Sequence, residues 1–204
     1  MAKETELKVA IREKTTAFQG YFRINAYFLR HTLHAGGWSE EMTREVFERG
    51  HAAGLLGYDP DRDEVLLIEQ FRIGAFVANR PAWVTEIVAG IIEDGESPED
   101  VVRRESVEEA GLEVGEIVPI ADYLVSPGGT SETMVLFCGR MDLTNAGGIH
   151  GLDHEQEDIR VLPVPRKEAM DWLNEGRINN SMTLIALQWL MLNVEDLRKR
   201  WADR

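Results

Sequence analysis

The stretch that decides the fold is Gly90-Ile-Ile-Glu-Asp-Gly-Glu-Ser-Pro-Glu-Asp-Val-Val-Arg-Arg-Glu-Ser-Val-Glu-Glu-Ala-Gly-Leu112. It predicts a loop around Gly95 running into a helix over about residues 98–110, with both ends marked. Ser97 is a good N-cap, Pro98 suits the first helical turn, and Glu99 and Asp100 favour the positive end of the helix dipole. Gly111 can adopt the left-handed conformation that stops the helix. At about 100° per residue, Glu105, Glu108 and Glu109 share an arc of about 100°. Val102, Ser106, Val107 and Ala110 fall on the other side, where they are expected to pack on a sheet. Like charges at this spacing destabilise a helix, and Arg103 and Arg104 are the only cations nearby. Periodicity leaves two readings open. The acids are either a solvated face or oxygen ligands for hard divalent cations, chiefly Mg²⁺.

Working outward, apolar runs at residues 52–58 and 64–71 read as strands joined by the turn Asp59-Pro60-Asp61-Arg62-Asp63. A strand is expected over Trp83–Ala89, with others near 117–125, 133–141 and 159–164, and helices near 166–175 and 180–200. Mixed strands with a few helices suggest an α/β sheet sandwiched between helices. In the last helix Leu184, Leu187, Leu190 and Leu192 alternate with Met182, Trp189 and Met191, a face for a partner or for its own domain. Towards the N-terminus, residues 6–34 alternate polar and apolar positions and predict two or three antiparallel strands. Gly36-Gly37 is a turn and Thr43–Glu48 a further short strand. No low-complexity linker follows, so the boundary expected near residue 50 is soft.

Bulk composition narrows the function. The 204 residues suffice for one substantial domain, with or without an extra subdomain. A net charge of −14, from 36 acidic and 22 basic side chains, repels nucleic-acid backbones and anionic membranes. Neither is an expected partner. Cys138 is the single cysteine, which rules out an internal disulfide and a cysteine-rich zinc site. Beside Val135, Leu136 and Phe137 it reads as a buried, inert thiol. The opening MAKETELKVA lacks the apolar run of a signal peptide, and no stretch nears the ~20 apolar residues of a membrane span. The expectation is a cytoplasmic protein.

The spacing in the opening stretch resembles the signature of the Nudix hydrolases. Gly90 is followed after five residues by Glu96, after seven more by Arg104-Glu105, after two by Glu108-Glu109 and after one by Gly111-Leu112. Ser106 departs from the aliphatic residue usual at its position. The resemblance extends over nearly the whole chain, to the bacterial ADP-ribose pyrophosphatase branch. Matching segments are Phe47–Ala53 (FERGHAA), Leu67–Arg72 (LIEQFR), Glu86–Gly90 (EIVAG), Ser126–Glu132 (SPGGTSE) and Gly148–Val161 (GIHGLDHEQEDIRV). Pro127, fifteen residues after Leu112, resembles the marker of ADP-ribose-cleaving members.

That resemblance implies a Nudix α/β/α sandwich with a mixed sheet at residues 51–204. A β-rich region at residues 1–50, for dimerisation and substrate binding, would precede it and be exchanged across a homodimer. It implies Mg²⁺-dependent hydrolysis of ADP-ribose to AMP and ribose 5-phosphate, with Mn²⁺ as a substitute ion. Glu105, Glu109, Glu157 and the Ala89 carbonyl would hold metal, and Glu108 would be a further ligand or a group behind the ligands. Arg104 would orient the carboxylates by charge-assisted bonds. Asp153, Glu155, Glu157 and Asp158 form an acidic run that by itself reads as a solvated loop. The resemblance singles out Glu155 there as the base that activates water, ahead of the neighbouring His154. Arg44 and Arg72 would contact phosphate and ribose, Tyr21 would stack on adenine from the partner subunit, and Glu132 would contact the terminal ribose. The alternatives are another nucleotide sugar such as GDP-mannose, or a module that binds ADP-ribose without cleaving it. Such a module should have lost the carboxylates that this chain retains.

Overall fold

The computed structural model of the chain describes residues 7–202, so the opening residues of the expected 1–50 region lie outside the described residues, as do residues 203 and 204 at the other end. The chain divides into two compact units. One takes in the residues up to Gly50 together with Leu124–Glu132, and the other His51–Tyr123 with Thr133 onward.

In the first unit, β1 (Val9–Gln19), β2 (Arg23–His31) and β3 (Met42–Glu48) form an antiparallel sheet in that order. Two register shifts break the β1–β2 ladder, between Ile11 and Glu13 and between Thr16 and Phe18. Its apolar residues Val9, Ile11 and Phe18 are exposed. Glu48 is a hub at the far end of β3. It accepts from Asn25 Nδ2 and Tyr27 Oη, each at 3.1 Å, and from the Ser131 hydroxyl. Those donors, the serine first, hold its carboxyl below the usual range. The Phe47 N–H also donates to the Gly129 carbonyl at 2.8 Å. The Ser126–Glu132 loop is thereby fixed to β3.

The second unit is built on β4 (Ala52–Asp59), all eight of whose residues are buried. Burial on both faces is why AAGLLGY reads as a near-continuous apolar run. β5 (Glu64–Phe71) returns beside it through the Asp59–Asp63 turn, where Asp59 Oδ1 accepts from the Asp61 and Arg62 N–H groups at 2.9 and 3.0 Å. A single turn of helix, α1 (Ile73–Val77), follows with no buried residue. The strand expected over Trp83–Ala89 is two strands, β6 (Trp83–Glu86) and β7 (Val88–Ile91). β6 pairs with β5 and β7 with β4, so the chain changes partner at Ile87. There the N–H leaves the ladder and donates to Thr183 Oγ1 at 3.1 Å.

After α2 (Pro98–Ala110) come β8 (Ile117–Leu124), β9 (Thr133–Arg140), β10 (Ile149–His150), β11 (Ile159–Pro165), α3 (Arg166–Asn174) and α4 (Ser181–Trp201). The main path of the eight-stranded sheet is β10-β11-β5-β4-β9-β8, with β4 and β9 parallel and the mixed character this implies. Alternate residues of β4 and β5 feed two cores. Leu56, Tyr58, Val65 and Leu67 pack with Leu187, Leu190 and Trp201 of α4. Ala53, Leu55, Leu66 and Ile68 pack with Val101, Val102 and Ala110 of α2. The result is helix, sheet, helix. Each fully buried leucine contributes roughly 1.5–3 kcal/mol. Of the apolar positions on α4, Leu187 and Leu190 are core, whereas Met191 and Leu192 are exposed. No helix among the described residues is long and apolar enough to cross a membrane.

Candidate active site

Helix α2 is placed by its own ends. Ser97 Oγ accepts from the Asp100 N–H at 3.2 Å and the Asp100 carboxylate accepts from the Ser97 N–H at 3.1 Å, a reciprocal cap. At the other end Gly111 has φ 66°, and a β-carbon there would lie 2.6 Å from Cε1 of His150. Both the left-handed backbone and the packed imidazole require glycine. Ser106, fully buried, donates its hydroxyl to the Leu112 carbonyl at 2.6 Å, which is how a polar residue fits an aliphatic position. The buried face is Val101, Val102, Ser106, Glu109 and Ala110. The expectation that Val107 packs on the sheet is corrected, because the side chain is half exposed. The contact stripe is centred nearer Val101 and Val102, and this rotation carries Glu109 inward with them.

Glu109 is 3% exposed, and its carboxylate meets few donors. The Ala89 N–H donates to Oε2 at 3.0 Å and Gln70 Nε2 approaches Oε1 at 3.5 Å. Burial pushes its pKa up to about 8, and the nearby charges of Glu105 and Glu157 push the same way. Glu105 lies against the backbone of β7. A β-carbon on Gly90 would fall 1.8 Å from its Oε1, so the close approach of strand and carboxylate depends on that glycine. Burial raises the pKa of Glu105 too, with Glu108 and Glu157 adding repulsion.

Arg104 is the cation within this cluster. Its Nε and Nη2 meet Glu96 at 3.0 and 3.2 Å, and Nη1 meets Glu105 at 2.8 Å and Glu108 at 2.9 Å. These partners, Glu96 first, hold the guanidinium more firmly protonated than usual. One arginine against three partly exposed carboxylates, with the buried Glu109 and with Glu157 beside them, leaves an excess of acidic groups over cations. Such an excess is costly unless something positive joins it. All the donor atoms are oxygens, which fits a hard divalent cation.

Glu157 arrives from the loop between β10 and β11. The loop is tied to α2 by the Gly151 N–H donating to the Glu108 carbonyl at 3.2 Å. Glu157 Oε2 accepts from the Leu152 N–H at 3.1 Å. Glu155 closes a short 3-10 turn, Asp153–Glu155, and is exposed, 3.7 Å from the exposed His154. Among the described residues no three carboxylate, imidazole or thiol groups converge as a ready cation cage. Glu105 and Glu157 each give one oxygen to an internal donor, Arg104 and the Leu152 N–H, and the second oxygen of each is left to accept a cation.

Arg72 caps the approach to α1, and its Nε donates to Glu86 Oε2 at 2.7 Å. Its positive charge acts on Glu109, which places it beside the acidic cluster. Tyr21, Arg44 and Glu132 belong to the first unit. Tyr21 is 88% exposed, edge-on to Phe22 at 4.8 Å between centroids. Arg44 is exposed and donates to the Thr43 carbonyl at 2.9 Å. Glu132 is buried, 3.6 Å from Arg49. Three contributors have no role assigned from sequence. Glu96 is a fixed position of the signature, and its spacing of eight before Arg104 was a usable signal. Glu86 opens the EIVAG segment, and Gln70 lies within LIEQFR, where strand alternation points it to the face of α2.

Comparison with known proteins agrees with this geometry. The NUDIX domain family matches residues 48–180. An Escherichia coli (strain K12) protein named ADP-ribose pyrophosphatase is 52% identical over 194 residues, covering 95% of this chain and 93% of its own. A GDP-mannose pyrophosphatase of an Enterobacter species is 36% identical over 154 residues, 74% of this chain and 78% of its own. A crystal structure described as an ADP compounds hydrolase superposes with a TM-score of 0.70 over 94% of this chain and 95% of that one, at 19% identity, and so shares the fold. With the signature helix, its carboxylates and the sandwich all in place, this chain belongs to the Nudix family.

Proposed function

We propose that the protein is a Mg²⁺-dependent hydrolase of the pyrophosphate bond of ADP-ribose, releasing AMP and ribose 5-phosphate. The observation that carries the reading is buried Glu109 crowded by Glu105 and Glu157, whose charges raise the cost of ionising it, with Glu157 acting on Glu105 in the same sense. The substrate assignment draws on the 52% identical relative named for that activity.

Glu105, Glu109, Glu157 and the Ala89 carbonyl would hold Mg²⁺, or Mn²⁺ in its place, with Glu108 close by. When bound, the ions neutralise the diphosphate, position phosphorus and lower the pKa of water. Arg104 bridges Glu105 and Glu108 and offsets their mutual repulsion until then. Glu155, exposed at its turn, takes the proton from water at a carboxylate oxygen while the water oxygen attacks the adenosine-side phosphorus. The bond from that phosphorus to the bridging oxygen breaks, and the bridging oxygen leaves on ribose 5-phosphate. Arg72 and Arg44 bind phosphate and ribose, a task suited to the guanidinium fork. Tyr21 stacks on adenine and Glu132 contacts the terminal ribose.

Residues 1–50 act as the dimerisation and substrate-binding region and 51–204 as the hydrolase domain, in a cytoplasmic homodimer. Support comes from two apolar exposures that a monomer has no use for. One is Val9, Ile11 and Phe18 on β1; the other is Phe71, Ile73, Phe76, Val77 and Trp83 around α1. A sedimentation measurement that finds only monomer at micromolar concentration would remove the dimer. Hydrolysis in ¹⁸O-water tests the chemistry. Label in AMP is expected; label in ribose 5-phosphate would overturn attack at the adenosine side. The second substrate reading, GDP-mannose, draws on more distant relatives.

A further inference from the structure

Glu86 is a buried carboxylate, 6% exposed, whose single charged partner among the described residues is Arg72. Its place is fixed from both sides. Asn180 Nδ2 donates to the carbonyl of Thr85 at 2.8 Å, and Thr183 Oγ1 accepts from the N–H of Ile87 at 3.1 Å. The first turn of α4 therefore clamps the backbone on either side of Glu86 where the chain passes from β6 to β7. Two residues beyond that clamp, the Ala89 N–H meets Glu109. The Arg72 side chain remains 42% exposed. With Nε given to Glu86, its Nη groups make no hydrogen bond among the described residues.

We propose that Glu86 is a positioning residue for substrate binding: it grips Arg72 by the Nε edge and aims the free Nη edge at the anionic diphosphate. This rests on the reading of Arg72 as a phosphate ligand. A guanidinium held by one edge has lost most of its rotamer freedom before the ligand arrives, so less is lost on binding. The sign of the effect separates positioning from charge alone. Glu86 is itself an anion near an anion-binding site, so removing its charge would tighten diphosphate binding if Coulomb repulsion were its whole contribution. If it positions Arg72, removing it weakens binding.

The test is calorimetric binding of ADP-ribose to the intact protein in EDTA, where no turnover occurs, together with KM and kcat in Mg²⁺. The variants are Glu86→Gln, Arg72→Ala and the pair. Each single variant should weaken binding about three- to tenfold, acting on KM more than on kcat, and the pair should be no weaker than Arg72→Ala alone. Binding by Glu86→Gln that is unchanged or tighter overturns the proposal. So does a double variant whose loss equals the product of the two singles. Should Arg72→Ala bind normally, the phosphate reading of Arg72 is what fails, and the positioning role goes with it. Glu86→Asp covers the case in which the glutamine variant does not fold. It keeps the charge but draws the carboxylate back by one methylene, and it should weaken binding only when Arg72 is present.

Discussion

Replacing Glu109 by glutamine should make the metal-free protein more stable while abolishing its turnover. A carboxyl whose pKa stands at about 8 instead of its ordinary 4.5 opposes ionisation in the fold. Held ionised above pH 8, it costs the fold up to about 5 kcal/mol. The side chain is 3% exposed, so little solvent screening reduces that figure. Glutamine is nearly isosteric. Its amide oxygen can still accept from the Ala89 N–H, and Gln70 can rotate its own amide to accept from the new NH₂ group. With incomplete relief, a net gain of about 1–3 kcal/mol is expected at pH 9 in EDTA, and close to none at pH 4.5. For a chain of this size that is a Tm rise of roughly 2–10 °C. Urea or thermal unfolding of both proteins at the two pH values measures it, with activity assayed in parallel. A variant less stable than the parent at pH 9, or one that turns over at near-normal rate, would refute the reasoning.

Other expectations follow from the same site. The sign for Glu109 is that of a raised pKa. Its contribution to the stability of the metal-free protein is greatest below pH 4.5 and falls as pH rises towards about 8. Mg²⁺ must displace the retained proton in that window, so the Tm rise on adding Mg²⁺ should be larger at pH 8 than at pH 6; a rise independent of pH would contradict the assignment. Gly90→Ala drives a methyl into the Glu105 carboxylate, and should lower turnover by about tenfold or more with a stability cost of about 1–3 kcal/mol. Normal kinetics would show that the carboxylate need not lie there. Cys138 is fully buried, and burial pushes its thiol pKa up. A thiol reagent should label it no faster than the chain unfolds, and rapid labelling of the native protein would disprove that.

Much of this architecture is written in local signals. The helix over Pro98–Ala110 is bounded where Ser97 and Gly111 place it, because caps act on the backbone next to them. The AAGLLGY and EVLLIEQ runs mark the two central strands because burial on both faces leaves little room for polar residues. What is decided at a distance is less legible. The break at Ile87 depends on Thr183, almost a hundred positions later, and no local breaker announces it. The outward turn of Val107 depends on how α2 is rotated against β4 and β5. The site divides in the same way. The carboxylates of α2 are set by helical spacing, but the pairing of Glu86 with Arg72 follows from β5 and β6 lying side by side. The grip of Glu48 on Ser131 joins residues 83 positions apart.

The most direct test of the central claim is product chromatography with Mg²⁺ and equal concentrations of ADP-ribose, GDP-mannose, ADP-glucose and NADH. Preferential release of AMP and ribose 5-phosphate from ADP-ribose, lost when Mg²⁺ is chelated, is the result expected. Faster cleavage of GDP-mannose would move the substrate while keeping the chemistry. Binding of ADP-ribose without cleavage of any of the four would contradict the account of the protein as a hydrolase.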